Sequence, residues 1–539
     1  MASSDRKLSK FDELIKKSKS VVNGNPTRYQ VQKMMDNTDT FLSYQKIFLG
    51  ERNKQKSHKT ILLVGETGTG KTTLINTMIN YMLGVQREDK VWFEFTDDQS
   101  DRSSAQSQTS SVTVYGFYLQ ESPIDLTIID TPGYGDTRGV NLDKKIAKSL
   151  LNLSKSEEGI HEIHAVCLVI KASQNRLSDR QKYIFDAVQS LFGKDISENI
   201  VLLFTHSDGM RPKNALTAVE AAEIQCAVNK KNQPVYFLFN NCQSDAADGE
   251  DDEEYDEEYD EANKQRLDQS WNLSFRGITR LFKFLDTIKP KSLEMTRDVI
   301  EKRERLEANV SNIRERVKMM EKKQIELKQT QEALEKNKQD VIAKKNFEYE
   351  VEVPYKEIVD IDTSLASKAL CCVFCEENCH YPGCWWVANL AWCEVMKNDY
   401  CTVCTNKCHY SKHVKQPKIY QIKTKKEKRF YEGLKKKYDD SMIKIGDDVS
   451  LVKKLNEELQ ELEKEKIMLV TEAFDCVESL DKIALKSDSA FTLLHIDALI
   501  MKLKEINEPD KARKLDIIKK RAGGEKHGAL DYLKRFFFK

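Results

Sequence analysis

A glycine-rich loop between an apolar strand and a helix limits the fold of this chain more than any other part of its sequence. The loop carries Gly65, Gly70, Lys71 and Thr72 in the order Gly-x4-Gly-Lys-Thr. Glycines let the backbone curl so that its N–H groups point inward around a phosphate, where a β-carbon would obstruct. Lysine adds a positive charge for the outer phosphates and threonine a hydroxyl for Mg²⁺, so the pattern is typical of nucleoside triphosphate binding. The predicted phosphate-binding residues are Gly65, Glu66, Thr67, Gly68, Thr69, Gly70, Lys71, Thr72 and Thr73.

The composition limits which partners and which cellular compartment are expected for this chain. The chain has 539 residues, with 86 basic and 86 acidic side chains. A balanced charge gives no overall field that would attract nucleic acid, so no nucleic-acid partner is predicted. No apolar stretch reaches the roughly 20 residues that span a bilayer, and the first 22 residues lack a signal-peptide core. These features favour a cytoplasmic protein with reduced cysteines.

Metal binding and γ-phosphate contact are predicted where a second apolar strand ends. The strand at 126–129 runs into Asp-Thr-Pro-Gly at 130–133. Asp130 can hold a Mg²⁺-bound water, and the backbone N–H of Gly133 can reach a γ-phosphate. ATPases of the helicase or clamp type usually place Glu directly after this Asp. Thr131 follows here, so the G-protein arrangement is favoured.

The switch threonine and the rate of hydrolysis are predicted from the residues around this strand. Thr109 fits the switch position best by order and spacing. Tyr134 stands where Ras-like enzymes carry a water-orienting Gln, so slow hydrolysis is expected unless a partner or a second copy completes the site. The residues assigned to catalysis are Lys71, Thr72, Thr109, Asp130 and Gly133, and the competing switch candidates are Ser110, Ser111 and Thr113.

Guanine recognition is predicted where two later strands end. Thr-His-Ser-Asp at 205–208 matches the spacing of the Asn-Lys-x-Asp motif of GTPases. Asp208 can accept hydrogen bonds from guanine N1–H and from the exocyclic amine, whereas adenine offers no such pair of donors. At the end of the next strand, a backbone N–H could meet guanine O6. The predicted base-binding residues are Thr205, His206, Asp208, Asn240 and Asn241.

Residues 57–290 resemble a septin-like GTPase domain of the immunity-associated, AIG-type group. The resemblance rests on Gly-Glu-Thr-Gly-Thr-Gly-Lys-Thr-Thr, Asp-Thr-Pro-Gly-Tyr-Gly-Asp, Leu-Phe-Gly at 191–193, Leu-Phe-Thr-His-Ser-Asp and Phe-Asn-Asn. It implies a mostly parallel sheet flanked by helices and GTP-dependent self-association. It also implies that His206, in place of the motif lysine, packs on the base. The acidic run within 244–263 is predicted to be a solvated loop of this domain.

Two apolar repeats predict long helices that pair with each other. Apolar residues recur every seven positions from Val299 to Val341, and a second series alternates steps of three and four from Val452 to Ile483. This spacing is typical of a coiled coil, although two helices of an ordinary bundle would share it. The compact insert between the two series favours an antiparallel hairpin, and its partly filled seams suggest that another helix or a second subunit covers them.

The insert is rich in cysteine. Of the 13 cysteines, nine lie between Cys371 and Cys408, and a Cys-x2-Cys pattern at 372–375 repeats at 401–404 with a Cys-His pair after each copy. Each copy suffices for one tetrahedral Zn²⁺, so two zinc ions are predicted, with buried reduced cysteines as the alternative. The third ligand of each copy and the pairing of the copies stay open. The candidate ligands are Cys372, Cys375, Cys379, His380, Cys384, Cys401, Cys404, Cys408, His409 and His413.

The predicted fold class is an α/β P-loop GTPase domain followed by a long helical antiparallel coiled-coil stalk with a small zinc-stabilised insert. Short alternating strands at the base of the insert are expected to pair. Trp392 is expected to pack in its core with Trp385 and Trp386, with a partner-binding face as the alternative. The predicted segments are 1–56 (helical), 57–290 (GTPase domain), 291–345 (first coiled-coil helix), 346–424 (Cys/His-rich insert on a β-stem), 425–486 (returning helix) and 487–539 (helical).

The function predicted from these patterns is GTP binding with slow hydrolysis to GDP, in which nucleotide-dependent self-association serves as a switch or assembly signal. A homodimer or oligomer would form through the GTPase domain and the coiled coil. The alternatives are a non-enzymatic nucleotide-binding scaffold that acts through the zinc tip, and an ATPase with a metal-hook coiled coil. The aromatic and cationic end at 532–539 favours docking on a neighbouring helix over contact with a membrane.

Overall fold

A computed structural model gives the structure of residues 11–22, 26–32, 34–35, 44–53, 55–96, 112–132, 149–150, 153–154, 159–174, 178–242, 257–340, 348–361, 367–381, 387, 389–430 and 447–521. These described residues divide between two compact units. The first runs to Ile300 and includes Ile483–Leu494, and the second comprises Glu301–Lys482 and His495–Arg521. Within the described ranges, no helix has both the length and the apolar character required to cross a bilayer.

The first unit is an α/β assembly. Its strands are β1 (Ser18–Val22), β2 (Thr27–Val31), β3 (Met34–Met35), β4 (Tyr44–Gly50), β5 (Ser57–Gly65), β6 (Val91–Glu94), β7 (Val112–Tyr118), β8 (Ile124–Asp130), β9 (Glu162–Ile163), β10 (Ala165–Lys171), β11 (Ile200–Thr205), β12 (Tyr236–Leu238) and β13 (Lys291–Ser292). Its helices are α1 (Lys71–Leu83), α2 (Asp179–Ser190), α3 (Lys213–Ala221) and α4 (Glu257–Thr287).

The main sheet of the first unit has the strand order β12-β11-β10-β5-β8-β7-β4-β3. The pairs from β12 to β8 are parallel, β8 and β7 are antiparallel, and β7 and β4 are parallel again. Alternate residues of β5 enter two different cores: Leu62 packs with α2 and α3, whereas Leu63 packs with α1 and α4. Helices on both faces explain why the central strands are continuously apolar. The predicted α/β domain is therefore confirmed, with a mixed and mostly parallel sheet.

The N-terminal segment differs from the prediction. A helical segment is predicted at 1–56, but its described part contains β1 to β4, with a helix only at 11–16. The strand β4 pairs in parallel with β7 along seven residues and buries Tyr44 and Ile47. Pairing with a sheet edge distant in sequence outweighs local helix tendency, because strand propensity depends mainly on such packing.

The second unit combines long helices with small sheets. Its helices are α5 (Glu294–Asp340, which begins in the first unit), α6 (Asp447–Ile483), α7 (Ala490–Glu505) and α8 (Pro509–Arg521). Its strands are β14 (Glu348–Asp360), β15 (Ala369–Cys372), β16 (Glu377–His380), β17 (Met396–Lys397), β18 (Tyr400–Cys401), β19 (His413–Gln416) and β20 (Lys418–Phe430). Short 3-10 helices lie at Arg87–Asp89, Lys194–Asn199, Leu390–Trp392 and Tyr410–Lys412.

Two ion pairs fix the direction of α5 against α6. Arg316 Nε lies 2.5 Å from Glu465 Oε2, and seven residues later Lys323 pairs with Glu458. The numbers rise by seven on α5 while they fall by seven on α6, so the helices run antiparallel. Val299, Leu306 and Ile313 of the apolar repeat are buried, whereas the buried Glu326 on α5 pairs with Arg429 of β20.

The insert stands on a two-stranded antiparallel ribbon, in which β14 pairs with β20 over 13 residues of each strand. The register places Glu350 opposite Lys428 and Glu352 opposite Lys426. Opposite charges across a strand pair are favourable, so the acidic strand and the basic strand select this register. The ribbon leads to a sheet of order β16-β15-β19 that carries several of the cysteines.

Candidate nucleotide site and metal centre

The glycine-rich loop lies between the end of β5 and the start of α1. A β-carbon on Gly65 would lie 2.5 Å from Val169 O, so the close approach of β10 requires glycine. Gly70 caps the N-terminus of α1 with φ of 84°, a left-handed conformation that favours glycine,. The first N–H groups of α1 therefore open into the loop, as an anion site at a helix N-terminus requires.

Lys71 is buried beneath this loop. Its Nζ donates hydrogen bonds to Gly65 O at 3.0 Å and to Glu66 O at 3.2 Å. Burial lowers the pKa of the Lys71 ammonium, and the nearby charges of Asp130 and Glu66 oppose that shift. Because carbonyl oxygens hold the ammonium against the loop, its positive charge lies where the outer phosphates of a nucleotide would bind.

Asp130 ends β8 with a carboxylate that is only partly satisfied. The residue is 1% exposed, and Oδ1 has no hydrogen-bond partner among the described residues. Burial raises the pKa of Asp130 to about 7, against the opposing effects of Lys71 and the Thr131 backbone N–H. An unpaired buried carboxylate oxygen calls for a cation or a cation-bound water, and carboxylate, hydroxyl and phosphate oxygens are the donors that Mg²⁺ prefers. The donor set formed by Asp130 and the Thr72 hydroxyl thus fits Mg²⁺.

The raised pKa of Asp130 predicts how Asp130→Asn changes stability with pH. Because the folded protein binds this proton more tightly than the unfolded chain, the wild type loses stability as the pH rises from about 4 to about 7,. At about 1.4 kcal/mol per pKa unit, the variant should gain roughly 3 kcal/mol over the wild type between pH 5 and pH 8. Melting temperatures of both proteins, without nucleotide or Mg²⁺, measure this difference. A difference between the proteins that does not change with pH would contradict it.

The base side of the site is tied to the loop by Thr205. Its Oγ1 donates to Thr69 O at 2.7 Å, which joins the end of β11 to the glycine-rich loop. His206 follows with φ of 52°, and its Cε1 lies 3.6 Å from the position of a β-carbon on Gly70. Asp208 is exposed, and its Oδ1 accepts from the Met210 N–H at 2.8 Å. An exposed histidine ring and an exposed carboxylate therefore follow the strand that borders the loop.

Asn240 and Asn241, which follow β12, are the remaining predicted base-binding residues. The Asn240 N–H donates to Ser274 Oγ at 3.0 Å, and Ser274 Oγ donates back to Asn240 O at 2.8 Å. The Asn240 N–H is thus engaged by α4 and not available for a base. Asn241 Nδ2 is buried, and within the described part of the chain it has no hydrogen-bond partner.

One contact beside the loop involves a residue that no sequence motif predicts. Gln181 Nε2 donates to Glu66 Oε2 at 3.0 Å, and Gln181 also takes part in a capping box with Ser178 at the start of α2. Glu66 therefore connects the loop to α2 and borders a cavity of about 210 Å³. No sequence pattern indicates this tether, because Gln181 lies more than 100 residues from Glu66.

Several predicted residues lie outside the described residues, and their roles stay predictions. Among the switch candidates, only Thr113 is described; it is buried on β7 opposite Asp130, in regular pairing unlike that of a switch loop. The acidic loop is described only from residue 257 onward, where it is helical. The residues that fall outside are Thr109, Ser110, Ser111, Gly133, Tyr134, Cys384, Trp385 and Trp386.

The site just described lies in a stretch that matches a known family. Residues 59–255 match the sequence model of the AIG1 family. They form an AIG1 family domain. The flanking strands β1 to β4 and the whole second unit lie outside the matched stretch.

Curated relatives match part of this chain. Immune-associated nucleotide-binding protein 10 of Arabidopsis thaliana is 31% identical over 153 residues, which is 28% of each chain. Immune-associated nucleotide-binding protein 1 of the same plant is 27% identical over 158 residues, covering 29% of this chain and 59% of the relative. Mouse neuronal-specific septin-3 is 32% identical over 93 residues, covering 16% and 24% of the two chains. The match thus covers 28% of the first Arabidopsis relative and 59% of the second.

The chain is also weakly similar to solved structures. Toc33 from Arabidopsis thaliana in complex with Mg²⁺ and GMPPNP is 16% identical, covers 44% of this chain and 88% of its own, and has a TM-score of 0.29.

The cysteine-rich insert, which lies beyond the AIG1 domain, brings metal-binding side chains together. In each of two groups, the potential ligand atoms lie within 4.8 Å of one another. Both groups contain four donors, the number that a structural zinc site requires. The first group is Cys372, Cys375, Cys404 and Cys408, and the second is Cys379, Cys401, Cys404 and His413.

The two predicted copies share the same local geometry. The Cys375 N–H donates to Cys372 Sγ at 3.4 Å, and the Cys404 N–H donates to Cys401 Sγ at 3.3 Å. Backbone N–H groups directed at sulfur stabilise thiolates, which are the form that binds metal. Each Cys-x2-Cys turn is therefore shaped as a metal knuckle.

Two predicted histidine ligands lie apart from these thiol groups. His380 forms a third group with Cys393 and Glu394, but Cys393 is disulfide-bonded, contrary to the expectation of reduced cysteines, so this group lacks a thiolate. The His380 Nε2 also lies 3.4 Å from Glu304 Oε2 on α5. His409 belongs to none of the groups found among the described residues; it is half-buried, and its ring contacts the ring of Tyr410.

The expectation that Trp392 packs in the core of the insert is wrong. Its side chain is 65% exposed, in a 3-10 helix at Leu390–Trp392. The core of the insert consists instead of cysteines with a few aliphatic side chains such as Leu370 and Val395.

A buried charge cluster connects the insert to both long helices. Arg316 on α5 donates to Glu377 Oε2 at 2.9 Å on β16 and lies 2.5 Å from Glu465 on α6. Thr405, beside the second knuckle, donates to Glu377 from its backbone N–H at 2.9 Å. The Arg316 guanidinium holds the pKa of Glu377 below its usual range, despite burial. An apolar repeat cannot reveal this cluster, because its members are charged.

Proposed function

We propose that this chain binds GTP through its AIG1 domain, hydrolyses it slowly and uses the bound nucleotide to control the pairing of two such domains. The observation that carries the proposal is the hydrogen bond from Thr205 to Thr69, which brings the base-side residues next to the glycine-rich loop. A nucleotide can then place its phosphates on the loop and its base beside His206 and Asp208. The names of sequence relatives, among them GTP-binding protein A of Dictyostelium discoideum at 24% identity, support the same class of ligand.

Asp208 supplies the choice of base in this proposal. Its exposed carboxylate accepts two N–H donors from guanine, and the Met210 N–H holds it through Oδ1,. Adenine would instead bring its lone pair at N1 toward the carboxylate, which costs binding energy. His206, next to the loop, would cover one face of the base.

A magnesium ion would complete the phosphate-binding part of the site. The unpaired Oδ1 of Asp130 and the hydroxyl of Thr72 would hold the ion, which would neutralise charge on the outer phosphates,. Lys71 would then leave the carbonyls of Gly65 and Glu66 for phosphate oxygens. Hydrolysis is proposed to be slow because the side chain after Gly133 is Tyr134, which cannot orient water as glutamine does.

The second unit is proposed to act as a stalk. Its antiparallel helices α5 and α6 would form a coiled coil, and the insert would bind two zinc ions through the two thiol-rich groups. A structural metal is a usual requirement for so small an insert, because it has little apolar volume of its own. The cytoplasm is the proposed compartment, because the cysteines of both thiol-rich groups are free thiols, although Cys393 is disulfide-bonded,.

Nucleotide-dependent pairing is tested by light scattering of the full chain. The mass should double with a non-hydrolysable GTP analogue and Mg²⁺, and should remain that of a monomer with GDP or without nucleotide. The corresponding ATP analogue serves as the control and should leave the mass unchanged. The same mass in all four conditions would contradict nucleotide-controlled pairing.

A further inference from the structure

The two thiol-rich groups do not follow the two sequence copies. Cys372 and Cys375 belong to the first copy, but they meet Cys408 of the second. Conversely, Cys401 of the second copy meets Cys379 of the first. Each knuckle therefore receives its third sulfur from the other copy, so the copies are interleaved.

The spacing of the first group suits a tetrahedral ion. Cys375 Sγ and Cys408 Sγ are 3.7 Å apart. With Zn–S bonds of about 2.3 Å, the edge of a tetrahedron of sulfur atoms measures about 3.8 Å. The sulfur atoms of the two copies are therefore already as far apart as two ligands of one tetrahedral zinc ion.

His413 is oriented as a ligand of the second group. The residue is 3% exposed, and its Nδ1 lies 3.1 Å from His409 O. A carbonyl only accepts, so Nδ1 carries the proton and Nε2 keeps its lone pair. Nε2 is buried, and no other described residue satisfies it. This arrangement, with one ring nitrogen held by a carbonyl, is usual for metal-binding histidines.

Cys404 is the common member of both groups. Four ligands in each group, with Cys404 shared, make seven side chains for two ions. Two tetrahedral ions that share one bridging ligand need seven donors, whereas separate ions need eight. A thiolate has several lone pairs and can bind two ions at once.

We propose that the insert holds a two-zinc cluster in which the Cys404 thiolate bridges a site formed by Cys372, Cys375 and Cys408 and a site formed by Cys379, Cys401 and His413. This inference rests on the proposal that the insert binds zinc. The bridge makes the two copies a single folding unit, because neither ion is complete without both copies. Chelation should therefore remove both ions in one transition.

Cadmium-113 NMR of the full chain tests the bridge directly. Cadmium takes the place of zinc in thiolate sites, and scalar coupling between two cadmium nuclei travels only through shared bonds. The expected spectrum has two resonances that are coupled to each other. Two resonances without coupling would overturn the shared thiolate but leave zinc binding intact, whereas a chain that binds no metal would contradict both proposals.

Serine variants provide matched controls, with metal content measured by emission spectroscopy. Cys404→Ser should lower the affinity of the insert for both zinc ions by at least about 10-fold. Cys371→Ser, beside a ligand but in neither group, should keep two ions and their coupling. If Cys384→Ser removes one ion, Cys384 supplies an eighth ligand and the bridge is overturned. If Cys404→Ser loses one ion and keeps the other at full affinity, the bridge is overturned as well.

Discussion

Replacing Lys71 with alanine is expected to weaken GTP binding by at least about 100-fold and to bring single-turnover hydrolysis to background. The ammonium is buried under the loop and is held there by Gly65 O and Glu66 O, so its charge faces the outer phosphates of a bound nucleotide,. A hydrogen bond between charged groups contributes about 1.5–3 kcal/mol, and Lys71 would make more than one to the phosphates. Fluorescence titration with a labelled GTP analogue, followed by a quench-flow turnover, measures both effects.

Lys213→Ala is the matched control for the Lys71 variant. Lys213 is exposed at the start of α3, so its removal should leave binding and turnover unchanged. If Lys71→Ala binds and hydrolyses GTP like the wild type, the loop does not hold the phosphates and the proposed function fails. A loss in both variants would show a general loss of fold instead, which circular dichroism would reveal.

Replacing Arg316 with alanine is expected to destabilise the second unit by about 3–5 kcal/mol. The change leaves Glu465 buried without its cation and leaves Glu377 with Lys356 alone, at 3.6 Å; removing one partner from a buried ion pair has about this effect,. Because Glu377 also holds the second knuckle through Thr405, the variant should lose its zinc at lower chelator concentration. Urea unfolding and release of zinc to a chromogenic chelator measure the two effects.

Arg314→Ala is the matched control, because it removes an arginine that is exposed and not buried. Arg314 is exposed two positions away on the same helix, so its loss should change stability by less than about 0.5 kcal/mol,. Replacing Arg316, Glu377 and Glu465 together with apolar residues of similar size should restore most of the stability lost in Arg316→Ala, since Lys356, the remaining cation beside Glu377, is partly exposed and also donates to Cys375 O,. Equal stability of the Arg314 and Arg316 variants would show that the charge cluster contributes nothing.

The geometry of the candidate nucleotide site could be predicted in part because its signals are local. Gly65, Gly70 and Lys71 occupy one short loop whose conformation glycine alone permits, and Asp130 follows directly after a strand. Parallel strands bring their carboxyl ends to one edge, so Thr205 could be expected near the loop from chain order alone. The direction of the two long helices could also be expected, since the insert between them turns the chain back.

Other features depend on contacts that sequence spacing does not encode. Local sequence does not reveal strand β4, because its partner, β7, lies more than 60 residues later. The exchange of Cys379 and Cys408 between copies depends on how the two knuckles face each other. Sequence spacing does not single out Arg316, because charged residues on a long helix usually face solvent. Trp392 is exposed because cysteines and aliphatic side chains form the core of the insert.

Calorimetric titration of the wild-type chain with GTP and with ATP, both in Mg²⁺, tests the central claim most directly. Asp208 should make GTP bind at least about 100-fold more tightly than ATP, because only guanine presents two N–H donors to its carboxylate. Equal affinity for the two nucleotides, or heat from neither, would contradict this account of the site.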